Sequence, residues 1–226
     1  MRPSFRGLKL CNMGAMLCRR IARAAIPMMC LLALAVVPAE ADDPSQKDEH
    51  PVADAAEFIA GGAAGFVLHE AGHLLFDVVF DAQPYVKTVH FGPLPFFAVT
   101  HPGGLSPRRE FVVSSAGFWT QEATSEWILT RRPDVRHEHA PFAKGMLAFN
   151  VLTSVGYGIV AFARAGPVER DTRGMASSIR VDEPLIGALI MAPAVLDAYR
   201  YFKPGSRWAV WTSRGVKIGS VLLVLR

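Results

Sequence analysis

The sequence predicts an all-α membrane protein, a bundle of about four to five helices with a short strand-like insert after the first. Three observations lead there. Hydrophobic residues make up 51% of the 226 and mean hydropathy is +0.24, high for a soluble chain. The apolar stretches are helix-length, separated by polar junctions and punctuated by isolated ionisable groups. Residues 84–107 carry Pro84, Pro93, Pro95, Pro102 and Pro107 between β-branched and aromatic residues. That density excludes a helix and favours short strands or a hairpin.

Residues 1–41 read as an export signal. A basic region with Arg19, Arg20 and Arg23 precedes an apolar stretch from Ala24 to Val37, and Ala39-Glu40-Ala41 forms an A-x-A site. The segment is either cleaved or retained as an anchor. Cys11, Cys18 and Cys30 all lie in it, so a cleaved chain has neither disulfides nor thiolate metal ligands. Residues 42–54 form a polar linker, and 55–226 the membrane domain.

Within that domain the first helix is expected from about Ala55 to Phe80, with Gly61 and Gly65 forming a small face for a close neighbour. The second runs from about Arg109 to Thr130, with Ser106-Pro107 ahead and Arg131-Arg132-Pro133 behind. The third, Phe142 to Ala163, is uncharged from Gly145 onward and is the clearest transmembrane candidate. A polar loop covers residues 164–182, and a fourth helix spans Glu183 to Phe202. Trp208 to Arg226 is broken by Arg214 and Lys217, so a short span and an interfacial helix both fit. The net charge of +4 is scattered at segment ends and forms no stripe, which argues against a nucleic-acid partner. The lipid bilayer is the expected environment, in bacteria the inner membrane, but the charge bias does not orient the chain across it.

The chemistry centres on His69-Glu70-Ala71-Gly72-His73 in the first helix. Residues four apart share a helix face, so His69 and His73 can both ligate one zinc ion. Glu70 lies beside them and can act as general base on a metal-held water. A catalytic zinc needs a third protein ligand. Asp197, a lone carboxylate in the apolar fourth helix, is the leading candidate, since such a group is costly unless something binds it. The alternative is a salt bridge to Arg200, three residues on.

In this order, the motifs resemble the site-2 protease family of intramembrane zinc metalloproteases. The HExxH helix is followed by the proline-rich insert, by Gly103 to Gly117, and by Pro193-Ala194-Val195-Leu196-Asp197. In the family a P-x-x-x-L-D-G segment supplies the third ligand. Phe118 stands where the family has proline, and Ala198 where it has glycine. The resemblance implies a membrane-embedded zinc endopeptidase that hydrolyses membrane or membrane-associated protein substrates.

Other assignments compete. Glu122 with Glu126 is an E-x-x-x-E pair like that of soluble zincins, in which Glu122 would be the ligand and Glu126 would orient a ligand histidine. The bland reading of that pair is a polar helix face. Asp77, four residues after His73, is a candidate acceptor for a ligand imidazole. Asn150 is expected either near substrate or as a helix-packing amide. His90 and His101 on the insert could approach the metal, whereas His137 and His139 read as surface. A membrane metal-binding protein without proteolysis, or a secreted soluble zincin, are the alternative functions.

Overall fold

The computed structural model describes residues 50–91 and 94–225. The expected export signal, and most of the linker after it, lie outside the described residues. The described chain is mostly helical, with six helices and one two-stranded sheet. The elements are α1 (Pro51–Val79), β1 (Tyr85–Phe91), β2 (Leu94–Thr100), α2 (Pro107–Arg131), α3 (Pro141–Ala163), α4 (Asp171–Ile179), α5 (Glu183–Phe202) and α6 (Arg207–Leu225). The expected helices and insert are present at close to the expected bounds. Two corrections concern the extra pieces. α1 begins at Pro51, so the end of the expected linker is already helical. The 164–182 segment is not simply a loop, because it folds into α4, a short helix that buries Thr172, Met175 and Ala176.

Local chemistry sets the boundaries. Pro51, Pro107 and Pro141 open α1, α2 and α3 at positions where a missing N–H costs nothing. Ser106 caps α2, accepting from the Arg109 N–H at 3.5 Å. The left-handed residues Arg164 and Arg180 end α3 and α4. The two strands pair antiparallel, from Tyr85 opposite Thr100 to Phe91 opposite Leu94.

α2 is the central helix, and every residue from Phe111 to Phe118 is buried. α1 runs antiparallel to it: Thr120 of α2 donates to the Leu68 carbonyl at 3.1 Å, and Gly72 faces the Ala116 carbonyl a turn further on. α3 runs parallel to α1, Gly61 meeting Phe142 and Gly65 meeting Phe149 and Asn150. This is the close approach expected of the Gly61/Gly65 face. α5 returns antiparallel to α3, with Gly187 against Gly158. α6 lies antiparallel to α2, its Arg214, Lys217 and Ser220 bonding Thr130, Glu126 and Glu122 in turn. Phe111, Phe118, Met175, Ala176, Ile186 and Ile190 form a core shared by α2, α4 and α5.

Three of these helices, α1, α3 and α5, are long and apolar enough to cross a membrane. Asp197, Arg200 and Lys217 are buried, while Leu152 is 70% exposed and Trp211 66%. On α6 the inward face is Ala209, Ser213, Lys217 and Ser220, and the outward face includes Trp208, Trp211, Ile218 and Leu222.

The α1–α3 crossing gives a direct test. A Cβ at Gly145 would occupy the space of the Phe58 carbonyl, whereas one at Gly62 meets nothing nearer than the Gly145 carbonyl at 3.8 Å. Gly145→Val is therefore expected to destabilise the fold by about 1–3 kcal/mol or more. Gly62→Ala is expected to be neutral or to stabilise by up to ~1 kcal/mol, through helix propensity. Thermal unfolding of the two variants in one detergent checks the contrast.

Candidate metal centre

His69 and His73 lie one turn apart on α1, both buried, with their Nε2 atoms 3.1 Å apart. His73 donates its Nδ1–H to the Val113 carbonyl at 2.7 Å. That bond fixes the ring's orientation and leaves the Nε2 lone pair aimed at its neighbour. His69 Nδ1 has no hydrogen-bond partner, and its ring is held by packing, edge-on to Phe118 at 5.3 Å between centroids.

The carboxylate that joins them is Asp171, the first residue of α4. Its Oδ2 is 3.4 Å from His69 Nε2 and 3.5 Å from His73 Nε2. Among the described residues, these three are the group of His, Cys, Asp or Glu side chains placed to hold a metal ion. Their separations fit that role. Tetrahedral ligands about 2.0–2.1 Å from a zinc ion stand roughly 3.3 Å from one another. Burial opposes ionisation of Asp171, but the imidazoles of His73 and His69 prevail and hold its carboxyl well below the usual carboxylate range.

Asp171 is held from both sides. Arg170 donates from Nε and Nη2 to the two oxygens of Glu183, each at 2.6 Å. Thr172 donates to the same carboxylate at 2.7 Å. Arg170 also reaches the Pro167 carbonyl at 2.9 Å. The residues before and after Asp171 are thus tied to the first turn of α5. Tyr157 of α3 lines the same cavity as Asp171, its ring edge-on to Phe118 at 5.2 Å.

Gly117 lets α2 pass this close. A Cβ there would lie 2.6 Å from the Nε2 atoms of both histidines, crowding both donor nitrogens. Gly72, inside the HExxH motif, performs the reciprocal task on α1, where a Cβ would stand 2.6 Å from the Ala116 carbonyl.

Glu70 faces a cavity of about 420 Å3 that His73 and Asp171 also line. Val89 and, from β2, Ala98 and Val99 line the same cavity, so the hairpin walls the space that the HExxH glutamate faces.

The other expected site residues stand elsewhere. Asp197 does not join the histidines; its carboxylate accepts from Ser213 at 2.7 Å and Lys217 at 2.8 Å, with Arg200 at 3.4 Å. Glu122 bonds Ser220 at 3.2 Å. Glu126 orients no imidazole and instead accepts from Arg200, Arg214 and Lys217. Asn150 is a packing amide that donates to Thr124, Ser125 and the Gln121 carbonyl on α2. Asp77 accepts no hydrogen bond from a ligand histidine, and its Oδ1 stands 3.9 Å from His101 Nε2. His101 belongs to that corner and not to the triad. His90 is exposed, and His137 and His139 pair on the surface with Asp134 and Asp54.

Sequence reading missed Asp171 because it sits among charges in a segment taken for a loop. The available signal was the spacing Thr172, Met175, Ala176, Ile179, one apolar face of a short helix beginning at an acid. Comparison with known proteins gives no match among family models, curated proteins or solved structures.

Replacing Asp171 by Ala is expected to weaken zinc binding by roughly a hundredfold or more, since it removes a direct donor. Asp197→Asn is expected to leave zinc affinity within about threefold of wild type, because nothing in the triad depends on it. Gly117→Ala is expected to abolish tight binding by filling the donor space. Competition against a chromophoric chelator reads all three, and equal loss in Asp171→Ala and Asp197→Asn would contradict the assignment.

Proposed function

We propose that this chain is a membrane-embedded zinc metallopeptidase of HExxH type that hydrolyses peptide bonds in membrane or membrane-associated proteins. The observation that carries this reading is the triangle of His69 Nε2, His73 Nε2 and Asp171 Oδ2, with Glu70 beside it on the wall of an open cavity. Two neutral imidazoles and a carboxylate are the donor set of catalytic zinc sites that keep a fourth position for water. Zinc held there would supply a water of lowered pKa and a Lewis acid for the scissile carbonyl. Glu70, on the cavity wall beside the donors, would accept a proton from the attacking water and pass it to the leaving amine. Val113 fixes the His73 tautomer, and the bonds of Arg170 and Thr172 to Glu183 keep Asp171 turned toward the imidazoles.

The resemblance to site-2 proteases supports this reading through the HExxH helix and the hairpin that follows it. It differs in the third carboxylate, which comes from α4 and not from the Pro193–Asp197 segment. The soluble zincin alternative needs Glu122 at the metal, and Glu122 is engaged with Ser220 instead.

The membrane part of the proposal rests on α1, α3 and α5 and on the inversion of side chains, charge inward and apolar surface outward. α2 runs antiparallel between α1 and α3, and α6 returns along α2 and α5 with Arg214 and Lys217 turned onto Glu126 and Asp197. Those contacts satisfy the charges that keep α6 from reading as a span. Five crossings follow, and a residue after Leu225 then faces the opposite side from Gly205.

Three experiments test the proposal. Glu70→Gln is expected to retain zinc while lowering cleavage of an unfolded protein probe such as β-casein by 10²-fold or more; unchanged cleavage would reject the mechanism. Membrane fractions washed in alkaline carbonate are expected to retain the protein. A thiol label at Gly205→Cys and a reporter fused after Arg226 are expected on opposite sides, and finding them on one side would remove α6 as a crossing.

A further inference from the structure

The cavity beside Glu70 has a definite shape and chemistry. At one end stand Glu70, His73 and Asp171; the remaining wall is Val89, Ala98 and Val99 of the hairpin, Thr153, Gly156, Tyr157 and Val160 of α3, and Pro167. Two further lining residues are charged, Glu169 and Arg170, and both are already paired. Lys87 donates to Glu169, and Arg170 is spent on Glu183 and the Pro167 carbonyl. Among the described residues, no free charge therefore faces the part of the cavity away from the triad. A space of about 420 Å3 lies in the range of pockets that enclose a ligand group.

Gly156 determines how far this space extends. It lies on the α3 face that also presents Thr153, Tyr157 and Val160 to the cavity, and a Cβ built on it meets no atom within 4 Å. The contrast with Gly61, Gly117 and Gly145 is direct, since each of those is crowded by a neighbouring helix. Packing does not require glycine at 156. A side chain there would grow into the cavity.

We propose that this cavity is the specificity pocket of the metallopeptidase, that it accepts a large apolar side chain (Phe, Leu or Met) next to the scissile bond, and that Gly156 sets its depth. The proposal rests on the metallopeptidase reading and names its substrate class. The peptide carbonyl lies at the triad, the adjoining side chain passes under Val99 into the mostly apolar space, and charged side chains are disfavoured because the charged lining residues Glu169 and Arg170 are already paired.

The test uses amino-acid hydroxamates as zinc-directed probes, so that it does not depend on turnover. On the full-length, zinc-loaded protein in detergent, N-acetyl-Phe hydroxamate is expected to bind about tenfold or more tighter than N-acetyl-Gly hydroxamate. Gly156→Leu is expected to abolish that preference while retaining zinc and Gly-hydroxamate affinity, and Gly156→Ala to fall between. Equal affinity for the two probes in wild type, or an unchanged preference in Gly156→Leu, would overturn the pocket. Mapping of β-casein cuts by mass spectrometry separates this inference from the one beneath it. Cuts beside Phe, Leu and Met that move to small residues in Gly156→Leu support both. An intact Phe preference with no casein cleavage keeps the pocket and rejects proteolysis of such chains. Cleavage without apolar bias keeps the peptidase and rejects the pocket.

Discussion

The structure depends on how closely α2 passes the HExxH turn of α1. Two buried imidazoles with their Nε2 atoms 3.1 Å apart are tolerable only where something offsets their desolvation. The protein places a glycine, Gly117, against both rings and brings a carboxylate to the open side. Any side chain at 117 would press on the Nε2 atoms of both rings. The rest of the bundle is arranged around this contact. Gly72 allows it from the α1 side, Val113 supplies the carbonyl that orients His73, and Phe118 packs on the His69 ring.

A second constraint is the disposal of charge. The helices present apolar residues outward and direct their ionisable groups to one another. One cluster, around Glu183, holds the residues flanking Asp171 and so sets its carboxylate beside the two imidazoles. The other joins Glu126, Asp197, Arg200, Arg214 and Lys217 and fastens α6 to α2 and α5. The first serves the site. The second serves the bundle.

The sequence made a good part of this legible, for identifiable reasons. Helix-length apolar stretches and the proline density of 84–107 are local signals, and α1, α2, α3, α5 and the hairpin follow them closely. His69, Glu70 and His73 were legible because one helical turn fixes their relation. Asp171 was not, because it reaches the histidines only when α4 folds back against α2, with Gly174 against Ser114. Asp197 is instructive in the other direction. A lone carboxylate in an apolar helix does require a partner, but that partner is Lys217, one of the two cations that interrupt the last helix. Each residue looked anomalous alone, and each satisfies the other.

The central claim is a three-donor metal site built from α1 and α4. Zinc K-edge X-ray absorption on the purified full-length protein tests it most directly. The account predicts one zinc per chain with only nitrogen and oxygen neighbours at about 2.0–2.1 Å, two of them imidazoles, and no sulfur. A sulfur shell, a third imidazole, or a protein that holds no zinc would contradict it.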